Sequence, residues 1–127
     1  MDATVNILNW FEISVKDISR AQKFYEAVFN VKLETMDMMG MKMAMFPYSP
    51  GSGKLSGALV QSDMHKPSAD GVKVYFNGNP DLSDTLSRVE KAGGKIVMPK
   101  TSIGDDNGFM AFFIDSEGNQ VALHSQH

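Results

Sequence analysis

Residues 10–30 read WFEISVKDISRAQKFYEAVFN, and a strand, a helix start, an amphipathic helix and a helix stop follow one another there. Phe11, Ile13 and Val15 alternate with Trp10, Glu12 and Ser14, the period of a strand whose two faces see different surroundings. Asp17 is placed to cap a helix, because its side-chain oxygen can accept from the free N–H groups of the first turn. Ile18, Ala21, Phe24, Tyr25, Val28 and Phe29 recur at helical spacing and form one apolar face, leaving Lys16, Arg20, Lys23 and Glu26 toward water. Asn30 ends the helix, since asparagine tolerates the left-handed conformation common at helix C-termini.

Working outward, Val31–Met36 reads as a strand, Gly40 as a turn and Met41–Phe46 as the next strand. Residues 47–53 are a loop by composition, and Leu55–Gln61 is a further strand whose Ser56, Gly57 and Ala58 let another group approach closely. Residues 62–71, with His65, Pro67 and Asp70, lack periodicity and read as a linker. The second half then repeats the first: Val72–Phe76 a strand, Asn79 a cap before Pro80, Leu82, Leu86, Val89 and Ala92 one helix face, and Gly93-Gly94 a stop. Lys95–Met98, Phe109–Asp115 and Gln120–Ser125 are strands, with Ser116–Asn119 turning between the last two. A shift of about 64 residues superposes the halves, bringing Asp17 onto Asp81, Asn30 onto Gly94 and Leu59 onto Leu123. The expected fold is therefore α+β, a single domain over 1–127 built from two βαβββ modules (about 5–61 and 72–125) joined by a linker (about 62–71). Their mixed sheets are expected to face one another around a shared cavity, with the helices on the convex faces.

The 127 residues, 43% apolar and 21% charged, are ordinary globular composition. A net charge of -3 without a basic block gives no basis for nucleic acid or an anionic membrane as partner. The absence of cysteine removes disulfides, thiolate nucleophiles and thiolate metal ligands together. No 18-residue apolar span or signal peptide is legible, so the expected location is cytoplasmic. Six of the ten methionines lie between Met36 and Met45. Strand alternation places Met41, Met43 and Met45 on one face, as core filling or as the wall of an adaptable apolar pocket.

The run Trp10-Phe11-Glu12-Ile13 with Asp17, Arg20-Ala21 and Phe24-Tyr25, then Gly57-Ala58-Leu59, Val74-Tyr75-Phe76, Gly93-Gly94-Lys95 and Asp115-Ser116-Glu117-Gly118-Asn119, resembles the vicinal oxygen chelate superfamily. That superfamily includes glyoxalases, bleomycin-resistance proteins and ring-cleaving extradiol dioxygenases. The resemblance spans essentially the whole chain and is specific for the fold rather than the reaction, because one scaffold hosts many chemistries.

The resemblance implies metal-ligand positions on the first and last strands of each module, which here are Trp10, Ala58, Val74 and Ala122. None of these four side chains offers a lone pair to a cation, whereas a catalytic divalent site needs about three protein ligands. The expectation is therefore no metal and no cofactor, with a divalent metal only in the alternative reading. Glu12 and His124 stand two residues beyond Trp10 and Ala122, on the same strand faces, and are the polar candidates for a displaced site. Glu12 is also the candidate general base. Trp10 can stack on a planar ligand or fill the space of a metal. Tyr75, alternating with Phe76, is expected under the second helix, and His65 is expected to be a solvated loop residue. Asp105-Asp106 and Gly51-Ser52-Gly53-Lys54 lack the further spacing of a calcium or phosphate loop.

Two function classes follow. The first is a metal-independent binder of a small apolar or aromatic molecule held by Trp10, Glu12, Ala58, Val60, Val74, Phe76, Ala122 and His124. The second is a lyase, isomerase or dioxygenase relative that uses an atypical metal site or Glu12. The resemblance also implies a homodimer, and a purely structural dimer module is the third possibility.

Overall fold

The computed structural model describes residues 2–127. Its first strand, β1 (Phe11–Ser14), leads into helix α1 (Ile18–Phe29), whose ends are set by the two residues the sequence singles out. Asp17 caps the helix by accepting from the Arg20 N–H at 3.1 Å, and Asn30 closes it in the left-handed region at φ 54°. Ala21, Phe24, Tyr25 and Val28 form its buried stripe. The strands β2 (Glu34–Met38), β3 (Met41–Met45) and β4 (Gly57–Gln61) complete the first module. Met39 and Gly40, both with positive φ, make the tight turn between β2 and β3.

The second module runs β5 (Tyr75–Asn77), α2 (Ser83–Ser87), β6 (Lys95–Ser102), β7 (Phe109–Ile114) and β8 (Gln120–Ser125). Two four-stranded mixed sheets result, in the orders β1-β4-β3-β2 and β5-β8-β7-β6. In each, the strand before the helix pairs in parallel with the module's last strand, and the remaining pairs are antiparallel. This is the expected α+β architecture of two βαβββ units.

The second helix is shorter than the expected span of residues 80–92. The Asn79–Pro80 peptide is cis, and the helix starts only after Leu82, whose N–H donates to the buried Ser125 Oγ at 3.0 Å. Beyond Ser87 the chain continues through three-residue turns, Arg88 N–H to Thr85 O and Ala92 N–H to Val89 O, so the apolar spacing of Leu82, Leu86 and Val89 is preserved without a continuous α-helix. Strand β6 is longer than expected and runs through Pro99, because the register with β7 shifts on both sides of Met98 and an edge strand there has no ladder bond to lose.

One core joins the modules. Phe24 meets Phe113 at 6.2 Å between centroids, and Phe76 of β5 packs against Phe11, Tyr25, Phe29 and Phe46 of the first module. Polar clamps fix the seam. The turn from Asp115 to Asn119 docks on the β1–α1 junction: Glu117 accepts the Lys16 and Asp17 N–H groups at 2.9 Å each and holds Arg20 at 2.7 Å. Asn119 donates to the Ser14 carbonyl at 2.8 Å. Tyr25, fully buried, donates to Asp115 at 2.6 Å; burial and then the adjacent carboxylate push its phenol pKa upward, so it stays a donor. Arg88 closes the helix side by donating to the Val28 carbonyl at 2.8 Å.

Candidate functional site

The sheet face of the first module that turns away from the common core carries Trp10, Met41, Met43 and Met45 packed around Ala58 and Val60. Alternation sets this face: Glu12 pairs beside Ala58, and Ile13 beside Leu59 in the common core. Trp10 meets Tyr48 edge-on at 5.5 Å. Ala58 and Val60 are both 0% exposed beneath this cover, so neither presents surface to a ligand as the chain stands.

In the second module the expected facing is out by one residue. Tyr75 pairs beside Ala122, Phe76 beside Leu123 and Asn77 beside His124. Ala58 and Ala122 are 64 residues apart, but Glu12 and Tyr75, which flank them, are 63 apart. The repeat loses one residue at this strand, and a slip of one reverses every side chain. Phe76 therefore lies in the aromatic core rather than on the face of Ala122, and Val74 does not share that face either. Tyr75, expected under the second helix, is half exposed beside Phe112 at 6.0 Å. Ala122 is fully buried between these two aromatic residues. His124 points its Nε2–H at the Asn107 carbonyl, 2.8 Å away.

Val74, Phe76 and Glu12 meet elsewhere. The unpaired edges of β1 and β5 flank a cleft of about 800 Å³, walled mainly by Phe11, Phe46, Leu55, Val72, Val74 and Phe76, with Glu12, Lys66, Lys73, Asn77, Asn119 and Gln120 among its polar residues. Such volume and lining suit a small organic ligand.

Glu12 is not alone in this structure. Its Oε1 lies 2.9 Å from His65 Nε2, and His65 Nδ1 lies 2.7 Å from Ser62 Oγ. His65, expected to be a solvated loop residue, has a side chain only 20% exposed. It is held by a backbone bridge from its N–H to the Ser62 carbonyl at 3.2 Å. The sequence carried one signal for His65, an imidazole in a segment otherwise free of apolar anchors, but a contact across 53 residues leaves no periodic trace.

The donor set does not fit a divalent metal. Trp10, Ala58, Val74 and Ala122, the positions implied by the resemblance, carry no donor atom, and Tyr75, which the register sets beside Ala122 in place of Val74, offers only a phenol. Among the described residues no three His, Cys, Asp or Glu side chains cluster as metal ligands. Glu12 and His65 face each other as hydrogen-bond partners, and His124 is bonded to a carbonyl.

Two four-stranded mixed sheets, each led by a strand–helix unit and joined at a cleft, define a glyoxalase-type fold. The family model described as Glyoxalase/Bleomycin resistance protein/Dioxygenase superfamily matches residues 7–123, and the chain belongs to that superfamily. A glyoxylase-like domain-containing protein of Didymella fabae is 32% identical over 119 residues, covering 91% of each chain. The putative glyoxylase CFP32 of Mycobacterium bovis is 26% identical over 118 residues, and there the match takes in 91% of this chain but 44% of the relative. The chain thus spans under half of that longer protein. Among solved structures, TnmS3, an antibiotic binding protein from Streptomyces, superposes with a TM-score of 0.64 at 18% identity over 99% of this chain and 100% of its own. At that identity the likeness speaks for the fold alone. No helix among the described residues is long and apolar enough to cross a membrane.

Proposed function

We propose that this protein binds a small apolar or aromatic organic molecule, without a metal, in the cleft between β1 and β5. The cleft carries the reading: about 800 Å³ of space with a predominantly aromatic and aliphatic wall and few polar groups, the profile of a site whose affinity comes from apolar burial and whose orientation comes from a handful of hydrogen bonds. Glu12, Lys66, Lys73 and Asn77 are among those groups. The fold shared with an antibiotic binding protein agrees with this reading. The protein works as a homodimer, the partner copy covering apolar side chains such as Met36, Met38 and Tyr75 that one copy leaves 39%, 44% and 50% exposed. Light scattering at micromolar concentration should give twice the chain mass; a monomer counts against the dimer.

The test of the site is calorimetric titration of the purified full chain with a panel of planar aromatic compounds, beside metal analysis of protein prepared without added metal. A binder is expected, with a melting temperature that rises as ligand saturates. Leu55→Trp, at a half-exposed loop position on the cleft wall, should fill the space and abolish binding. Unaltered affinity in that variant, or stoichiometric Zn, Ni, Fe or Mn in the protein, overturns the proposal.

A further inference from the structure

A second cavity of about 640 Å³, which shares Lys66 with the cleft, has a different character. It is polar, and Ser62, His65, Lys16, Lys42 and Lys66 are among the residues that line it. The hydrogen bonds around His65 order themselves by elementary chemistry. An ionised Glu12 carboxylate only accepts, so His65 Nε2 carries the proton at 2.9 Å, and Nδ1 is left with a lone pair. The hydroxyl of Ser62, 2.7 Å from Nδ1, then donates to it. Ser62 Oγ also accepts the Met64 N–H at 3.1 Å, which fixes the oxygen in place. Carboxylate, imidazole and hydroxyl stand in the sequence that activates an oxygen nucleophile, with the base held by a third group.

We infer that Ser62, His65 and Glu12 form an acyl-transfer site for small esters that carry a negative charge. Ser62 Oγ attacks the ester carbonyl carbon as His65 Nδ1 takes the hydroxyl proton, and the carbonyl π pair moves onto oxygen. Collapse of that oxyanion breaks the carbon–alkoxide bond, and the departing alcohol takes the proton from His65. Water, deprotonated by the same imidazole, then cleaves the acyl-serine and restores the hydroxyl. Lys16, Lys42 and Lys66 supply the positive field for the oxyanion and for the substrate's own charge; Asp63 is the one acidic group on the same wall. Ser62 and His65 are the catalytic residues, and Glu12 is a positioning residue acting through the imidazole. The site opens on a different cavity and shares only Glu12 and Lys66 with the apolar cleft, and its activity does not require the ligand proposed there.

The experiment uses the purified full chain with 4-nitrophenyl hydrogen succinate, and neutral 4-nitrophenyl acetate for comparison. Expected is release of 4-nitrophenolate above the buffer rate, faster for the anionic ester. Ser62→Ala and His65→Gln should each lower kcat by about a hundredfold or more, the usual weight of a nucleophile's base. Glu12→Gln should lower kcat with KM little changed, the split expected of a residue that acts through the imidazole rather than on the substrate. Independently of any variant, a fluorophosphonate should label the wild-type protein at Ser62, read by peptide mass spectrometry. Hydrolysis that persists in a folded Ser62→Ala variant, the absence of hydrolysis by the wild type, or phosphonate on any residue but Ser62 overturns the inference.

Discussion

Replacing Glu117 by Gln should cost about 2 kcal/mol at neutral pH, and the cost should vanish in acid. Glu117 binds the start of the first helix to the last turn of the second module. Its side chain is fully covered, while the Arg20 side chain it holds is 53% exposed. Burial by itself raises the carboxyl's pKa. The Arg20 fork, the N–H groups of Asp17 and Lys16 and the Ser116 hydroxyl more than offset that and bring it from 4.5 to about 2. At about 1.4 kcal/mol for each tenfold change in proton affinity, that gap is worth roughly 3 kcal/mol. Solvent screening at the half-exposed arginine lowers the figure to about 2 kcal/mol. The folded value is depressed, so this stability is fully present above about pH 4.5 and is lost as pH falls toward about 2. Spread over the unfolding entropy of a 127-residue chain, it corresponds to about 7 °C of melting temperature. Urea unfolding of wild type and Glu117→Gln at pH 7, and at steps down toward pH 2.5, measures it. A difference below about 0.5 kcal/mol at pH 7, or one that stays constant into acid, would refute the reasoning.

Tyr25→Phe removes the donor to the buried Asp115 carboxylate and should lower stability by about 1.5–3 kcal/mol, read by the same urea curves. An unchanged midpoint would mean that Asn119, which also donates to that carboxylate at 3.0 Å, suffices alone. Gly57→Ala places a methyl group against the Phe11 carbonyl and ring and should cost about 1–3 kcal/mol through forced separation of β1 and β4. Wild-type stability in this variant would show that the two strands are not closely packed there. Phe76→Ala, which opens the aromatic junction between the modules, should cost about 3–5 kcal/mol; a loss under 1 kcal/mol would place Phe76 outside the core.

The sequence by itself determined the first helix to the residue, because its signals are local: a capping aspartate, a 3.6-residue apolar period and an asparagine able to turn left-handed. It also determined the two-module order, since the repeat spans the whole chain. The second helix was legible in position but not in length, because the apolar spacing at Leu82, Leu86 and Val89 is met equally by one α-turn followed by three-residue turns. What only the tertiary structure decided are the facing of β5 and the surroundings of Glu12. Residues 72–76 alternate Val72, Val74 and Phe76 with Lys73 and Tyr75, which separates two faces but does not say which of them carries Ala122. The parallel register with β8 makes that choice through hydrogen bonds to a strand almost 50 residues away. Glu12, His65 and Ser62 meet because the linker folds back over β1, and the partners of a polar side chain are set by where the backbone brings them, which a reading of periodicity does not contain.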